Sequence, residues 1–117
     1  MSSTADPDCL FCKIVTGEIP AEIVSQTPHT VAFRDVDPQA PTHVLVIPRR
    51  HEPDIGSLAA VDAEATIALL AEARKIAEAH AEGSYRLVFN TGAEAHQTVF
   101  HCHAHVLAGR ALGWPPV

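Results

Sequence analysis

At 117 residues the chain is long enough for one domain whose hydrophobic core needs no disulfide staples. Eight basic against fourteen acidic residues leave a net charge of −6, which excludes a general nucleic-acid-backbone binder, because that role needs a broad basic surface. No stretch approaches the roughly 18 apolar residues of a membrane span, and Met1 to Asp8 lacks the pattern of a secretory leader, so a cytoplasmic protein without a membrane partner is expected.

Residues 1–8 read as a loose, flexible terminus and residues 9–117 as a single domain. In Leu10 to Thr16 the apolar Leu10, Phe11, Ile14 and Val15 recur at helical spacing, and Gly17 stands where a short helix can end. Ala21–Gln26 and Thr30–Arg34 alternate around the turn residues Thr27-Pro28-His29, which predicts a hairpin with Asp35 at its far end. Two prolines in Asp37-Pro38-Gln39-Ala40-Pro41 forbid regular ladder bonding, and an apolar strand, His43 to Ile47, follows until Pro48 stops it. Arg49-Arg50-His51 is a basic cluster.

Asp62 can cap a long helix running to about Glu82, with Gly83 placed to terminate it. Its core side is expected to carry Thr66, Leu69, Leu70, Ala73, Ile76, Ala77 and His80, with Glu64, Glu72, Arg74, Lys75 and Glu78 opposite or near the boundary. Tyr85 to Asn90 alternates as another strand, and Thr91 to Thr98 is a polar loop. Together these elements predict an α+β fold: an antiparallel sheet of about five strands with one long and one short helix, the helices packed on one face.

The loop leads into Val99-Phe100-His101-Cys102-His103-Ala104-His105-Val106-Leu107, where three histidines alternate with small or apolar residues. The period of two predicts a strand with all three imidazoles on one face, whereas a helix would scatter them. In a strand, His101 and His105 stand roughly 13 Å apart, too far to serve one small centre. Neighbouring histidines could still share a metal; otherwise the line divides into sites with separate tasks, the middle histidine being the candidate for chemistry. A neutral His103 can attack an electrophile such as phosphorus without a base to activate it, provided a carbonyl or side chain holds its other nitrogen. Thr98 and His105 could donate to phosphate oxygens.

The run His101-Cys102-His103-Ala104-His105-Val106-Leu107 resembles the histidine triad of the HIT family. Leu10-Phe11-Cys12-Lys13-Ile14, Glu18-Ile19-Pro20-Ala21, Asp35, Pro38-Gln39-Ala40-Pro41-Thr42-His43, Val46-Ile47-Pro48, Gln97-Thr98-Val99-Phe100 and Gly113-Trp114-Pro115-Pro116 are similar to the Hint branch of that family. The resemblance implies a hydrolase or transferase that cleaves purine nucleoside phosphoramidates or related nucleotidyl conjugates at the α-phosphate, through a nucleotidyl group on His103, with no catalytic metal required. Dinucleoside polyphosphate hydrolysis, or nucleotide binding without catalysis, is the alternative. By the same resemblance Asp35 would accept hydrogen bonds from the ribose hydroxyls, and Leu10, Phe11, Ile14, Ile19, Phe33 and Val36 would form the slot for the base. Asn90, Gln97, Thr98 and His105 would surround the phosphate, and His43 would support the triad. A homodimer is implied, with Trp114-Pro115-Pro116 reaching toward the partner's active site.

Three positions depart from the family pattern: Ala95-His96 stands where two glycines are usual, Thr98 replaces serine, and Arg34 beside Asp35 differs from the eukaryotic members. Cys9-x-x-Cys12 lacks the preceding strand and βαβ unit of a redox motif, so a metal site is the preferred reading. His51 and His101 would complete a tetrahedral zinc set, which the bacterial members of the family support. Cys102 reads as a buried apolar residue.

Overall fold

The computed structural model describes residues 6–117; the first five positions of the expected loose terminus lie outside the described residues. Five strands, β1 (Ile23–Gln26), β2 (Thr30–Arg34), β3 (Thr42–Pro48), β4 (Tyr85–Val88) and β5 (Ala104–Ala108), form one antiparallel sheet in the order β1-β2-β3-β5-β4. Three helices accompany them: α1 (Leu10–Thr16), α2 (Ile55–Val61) and α3 (Ala63–Ala81).

Alternation along the central strands splits the core in two. Ala32, Val44, Val46, Ala104 and Val106 face α3, where they meet Leu69, Ala73, Ile76 and Ala77 together with Leu58 of α2. Val31, Phe33, Leu45 and Ile47 point the other way and pack with Cys9, Phe11 and Cys12 of the α1 segment. The helices therefore cover both faces, not one as the sequence suggests. β3 is buried along its whole length, as a strand clamped between two layers must be.

The ends of the helices follow the expected chemistry. Asp62 caps α3 by accepting from the Ala65 N–H at 3.0 Å, and Gly17 closes α1 in left-handed backbone at φ 84°. Two details of α3 differ. Leu70 and His80 are exposed, while Glu72 is buried with its carboxylate accepting a 2.6 Å bond from the Ser25 hydroxyl of β1. A partner on the sheet makes the inward carboxylate tolerable. At the other end of the helix the left-handed turn begins at Glu82, one residue before Gly83.

The histidine stretch also differs from the expected long strand. Ladder pairing with β3 begins only at Ala104, opposite Val46, and the Cys102 N–H donates instead to the Glu52 carbonyl at 2.7 Å. The alternation survives without the ladder: Cys102, Ala104 and Val106 all pack on the α3 side. Burial pushes the Cys102 thiol up to about 12, so it stays neutral there, as an apolar residue would.

Candidate active site

Three strands bring the titratable side chains together. Asp35 follows β2 and donates its N–H to the His43 carbonyl at 3.0 Å, which sets it beside the start of β3. His43 pairs with Leu107 and His105 with Leu45, so the two histidines are diagonal neighbours on one face of the β3–β5 ladder. Their rings meet through a 2.9 Å contact between His43 Nε2 and His105 Nδ1. Asp35 Oδ2 lies 3.4 Å from the same Nε2. A cleft of about 520 Å³ opens over this cluster, lined by Asp35, Asp37, Gln39, His43, Asn90, His96, Thr98, His103 and His105.

The hydrogen bonds define which nitrogen of each ring carries the proton. The Gln39 N–H donates to His43 Nδ1 at 3.0 Å, so neutral His43 carries its proton on Nε2 and donates it to His105 Nδ1. His105 is left with its own proton on Nε2, a donor for the cleft. His103 Nδ1 lies 2.8 Å from the His101 carbonyl and must donate there, which leaves Nε2 as a free lone pair. Burial lowers all three rings below the ordinary histidine value, His105 to about 4 with the neighbouring His103 and His43 rings adding to the effect. Three neutral imidazoles in defined tautomers result, one offering a lone pair and one an N–H.

His101 is turned to a different task. Its Nε2 donates to the Pro48 carbonyl at 2.8 Å, and its Nδ1 points into a group formed by Cys9, Cys12 and His51. Nδ1 of His101 is 3.4 Å from Cys9 Sγ, 3.5 Å from Cys12 Sγ and 3.2 Å from His51 Nδ1, and the Cys12 to His51 separation is 3.4 Å. Tetrahedral zinc with bonds of roughly 2.0–2.3 Å holds its ligand atoms roughly 3.3–3.8 Å apart, so this set fits the ion. Burial pushes His101 down to about 4, which keeps it in the neutral form that binds metal. Asp35, His43 and His105 also lie close enough to share a cation, but there the Nε2 of His43 is committed as a donor by the Gln39 bond.

The profile of the HIT domain matches residues 16–112. The chain belongs to the HIT family. An uncharacterised HIT-like protein of Synechocystis is 46% identical over 110 residues, covering 93% of this chain and 96% of that protein. The purine nucleoside phosphoramidase of Escherichia coli is 44% identical over 108 residues, 91% of each chain. Among solved structures, a HIT family hydrolase from Clostridium thermocellum superposes with a TM-score of 0.90 at 38% identity, covering 96% of this chain and 99% of that one.

Of the residues that the HIT resemblance singles out, Asp35, His43, Asn90, Thr98, His103 and His105 share the one cleft. Gln97 does not line it. That side chain is 3% exposed and spends its amide on the Gly92 N–H and on the Pro53 and Val99 carbonyls, so it pins the loop rather than facing a phosphate. The proposed base slot is not one cavity. Phe11 and Phe33 are buried edge-to-face at 5.5 Å, Ile14 and Ile19 line a groove beside β1, Leu10 lines another beside Cys9, and Val36 is fully exposed. Phe11 nevertheless reaches the site, its ring 5.0 Å from that of His103. His101 and His103 do not converge on a common ion, because their nitrogens serve different partners. Sequence reasoning missed the backbone groups of Gln39, Pro48 and His101, which carry no side-chain signal. His96, which the sequence offers as either an extra polar contact or merely an exposed residue, is exposed and lines the cleft wall.

Proposed function

We propose that the chain is a nucleotide hydrolase or transferase that cleaves purine nucleoside 5′-phosphoramidates or related nucleotidyl conjugates at the α-phosphate through a nucleotidyl-His103 intermediate. The observation that carries this reading is the His103 ring, buried and anchored through Nδ1 to the His101 carbonyl with Nε2 left free in the cleft. The 44% identity to a purine nucleoside phosphoramidase supports the substrate class.

In the first step the His103 Nε2 lone pair forms a bond to phosphorus, the P–N bond breaks and the departing amine takes a proton from solvent. Water then attacks the nucleotidyl-histidine, the P–Nε2 bond breaks and a nucleoside monophosphate leaves. The His105 Nε2–H and the Thr98 hydroxyl supply donors to the phosphoryl oxygens, and His43 holds His105 in the donating tautomer. Asp35 accepts from the ribose hydroxyls.

Cys9, Cys12, His51 and His101 would hold a structural zinc ion, which cross-links α1 to the segments after β3 and before β5 and supplies no reacting group. The exposed edge strand β4 with Tyr85, and the exposed Ile67 and Leu70 of α3, support a homodimer. Trp114, 82% exposed, then reaches toward the partner's cleft. Three free cysteines suit the reducing cytoplasm. Among the described residues no helix is long and apolar enough to cross a membrane.

Alkaline denaturing quench, under which the P–N bond to histidine survives, of a single turnover with an adenosine phosphoramidate labelled in the nucleotide tests the intermediate. Label bound to the protein is expected with the native chain and absent with His103→Asn, which still binds AMP. Undiminished turnover by His103→Asn would falsify the nucleophile assignment.

A further inference from the structure

We infer that His96 is a specificity-determining residue that recognises an anionic group on the leaving side of the substrate. This rests on the nucleotidyl-transfer reading above and adds to it the chemical class of the leaving group.

The first observation is backbone strain at a cavity wall. His96 adopts φ 69°, ψ 32°, and it is one of two non-glycine residues with positive φ among the described residues. The other, Glu82, caps the end of α3 and does not line the cleft. Glycine would occupy this backbone without the steric penalty that a β-carbon brings. A strained histidine on the cleft wall is the pattern of a side chain retained for what it touches.

The second observation is how firmly its loop is held. The Gly92 carbonyl accepts from the Ala95 and Gln97 N–H groups at 3.2 and 3.0 Å, and the Asn90 amide donates to the Ala95 carbonyl at 2.8 Å. Buried Gln97 ties the same loop to the Pro53 carbonyl at 2.6 Å. The His96 imidazole makes no hydrogen bond or ion pair to any described residue, so a rigid loop presents an uncommitted N–H to the cleft. Preorganised donors of this kind take an acceptor from the ligand.

Attack geometry says which part of the ligand. His103 lies at the floor, 8% exposed, whereas His96 is exposed at the mouth. An in-line displacement expels the leaving group opposite the attacking Nε2, away from the floor and toward the mouth. The two carboxylates lining the cleft, Asp35 and Asp37, both belong to the segment after β2, where Asp35 accepts from the Asp37 N–H at 2.8 Å, and not to the loop that carries His96. The free donor of His96 beside Thr98 therefore favours a leaving group that carries a phosphate or carboxylate over a neutral amine.

Calorimetric titration of AMP and ADP into the native chain, His96→Gly and His96→Asn tests this, the β-phosphate of ADP standing in for the anionic leaving side. The native chain is expected to prefer ADP over AMP, and His96→Gly to lose about tenfold of that preference with AMP affinity unchanged. His96→Asn, which tolerates the left-handed backbone and keeps a donor, is expected to restore part of it. Glycine relieves the strain, so an unchanged or higher melting temperature accompanies the loss. An ADP to AMP ratio unaltered in His96→Gly, or an equal loss for both nucleotides, overturns the assignment while the nucleotide reading stands. Failure of AMP to bind the native chain overturns both.

Discussion

At the scale of single residues, the site is defined less by which side chains it holds than by where their protons sit. The sequence shows His43, His103 and His105 but not the Gln39 N–H and His101 carbonyl that select their tautomers, because backbone partners depend on the path of the chain and not on residue type. The burial of these rings has a measurable consequence. His105 is lowered to about 4, whereas an unfolded histidine titrates near 6.5, so between those values the unfolded chain binds a proton that the folded ring refuses. Its contribution to stability is fully present above about pH 6.5 and is lost as the pH falls toward 4. Denaturant melts of the native chain and His105→Gln at pH 7, 6, 5 and 4.5 are expected to show the native chain losing stability relative to the variant on acidification. A difference that stays constant across the range would sink the argument. The alternation of the triad and the spacing of Cys9 and Cys12 were legible because each is local chemistry; the closure of the cysteines onto His51 and His101 needed the fold.

At the scale of elements, helix register decides what substitution costs. Leu69 and Leu70 are neighbours in sequence, yet Leu69 is fully buried against the sheet and Leu70 is 43% exposed. Leu69→Ala is expected to cost about 2–5 kcal/mol through lost burial and the cavity left behind, and Leu70→Ala less than about 1 kcal/mol in the monomer. Urea unfolding of the two variants checks the register, and equal losses would contradict it. The sequence placed both leucines inside because a stripe drawn from apolar residues alone cannot see the Ser25 hydroxyl that draws Glu72 inward. α2 escaped notice for a related reason. Only Leu58 of its seven residues is buried, and Gly56 and Ser57 weaken its propensity, so no apolar period marks it. The one available signal was Asp54, which caps the helix by accepting from the Ser57 N–H at 2.8 Å. The strands were easier to read, since β2 and β3 are flanked by prolines and turn residues that punctuate them.

At the scale of the whole molecule, the two layers on either side of the sheet are unequally held. The α3 side has a long helix packed across four strands, whereas α1 contributes Phe11 and Cys12 to a smaller cluster on the opposite face. The cysteine–histidine group sits on that weaker side and joins segments 92, 89 and 50 residues apart. An ion that binds the folded chain and finds no preformed site in the unfolded one stabilises by mass action, and each kcal/mol is worth several degrees in a domain of this size. Stripping zinc with a chelator is therefore expected to lower the melting temperature by at least about 5 °C, and added zinc to restore it. Cys9→Ser/Cys12→Ser should melt near the stripped protein and respond to neither treatment, while His103→Asn responds like the native chain. Because no reacting atom belongs to this group, the stripped protein should still turn over substrate below its own melting temperature, at a rate reduced only as far as the His101 carbonyl drifts from His103 Nδ1. A melting temperature indifferent to chelator would remove the metal from the structural account. Abolished turnover in a stripped protein that remains folded would instead assign the ion a part in the chemistry.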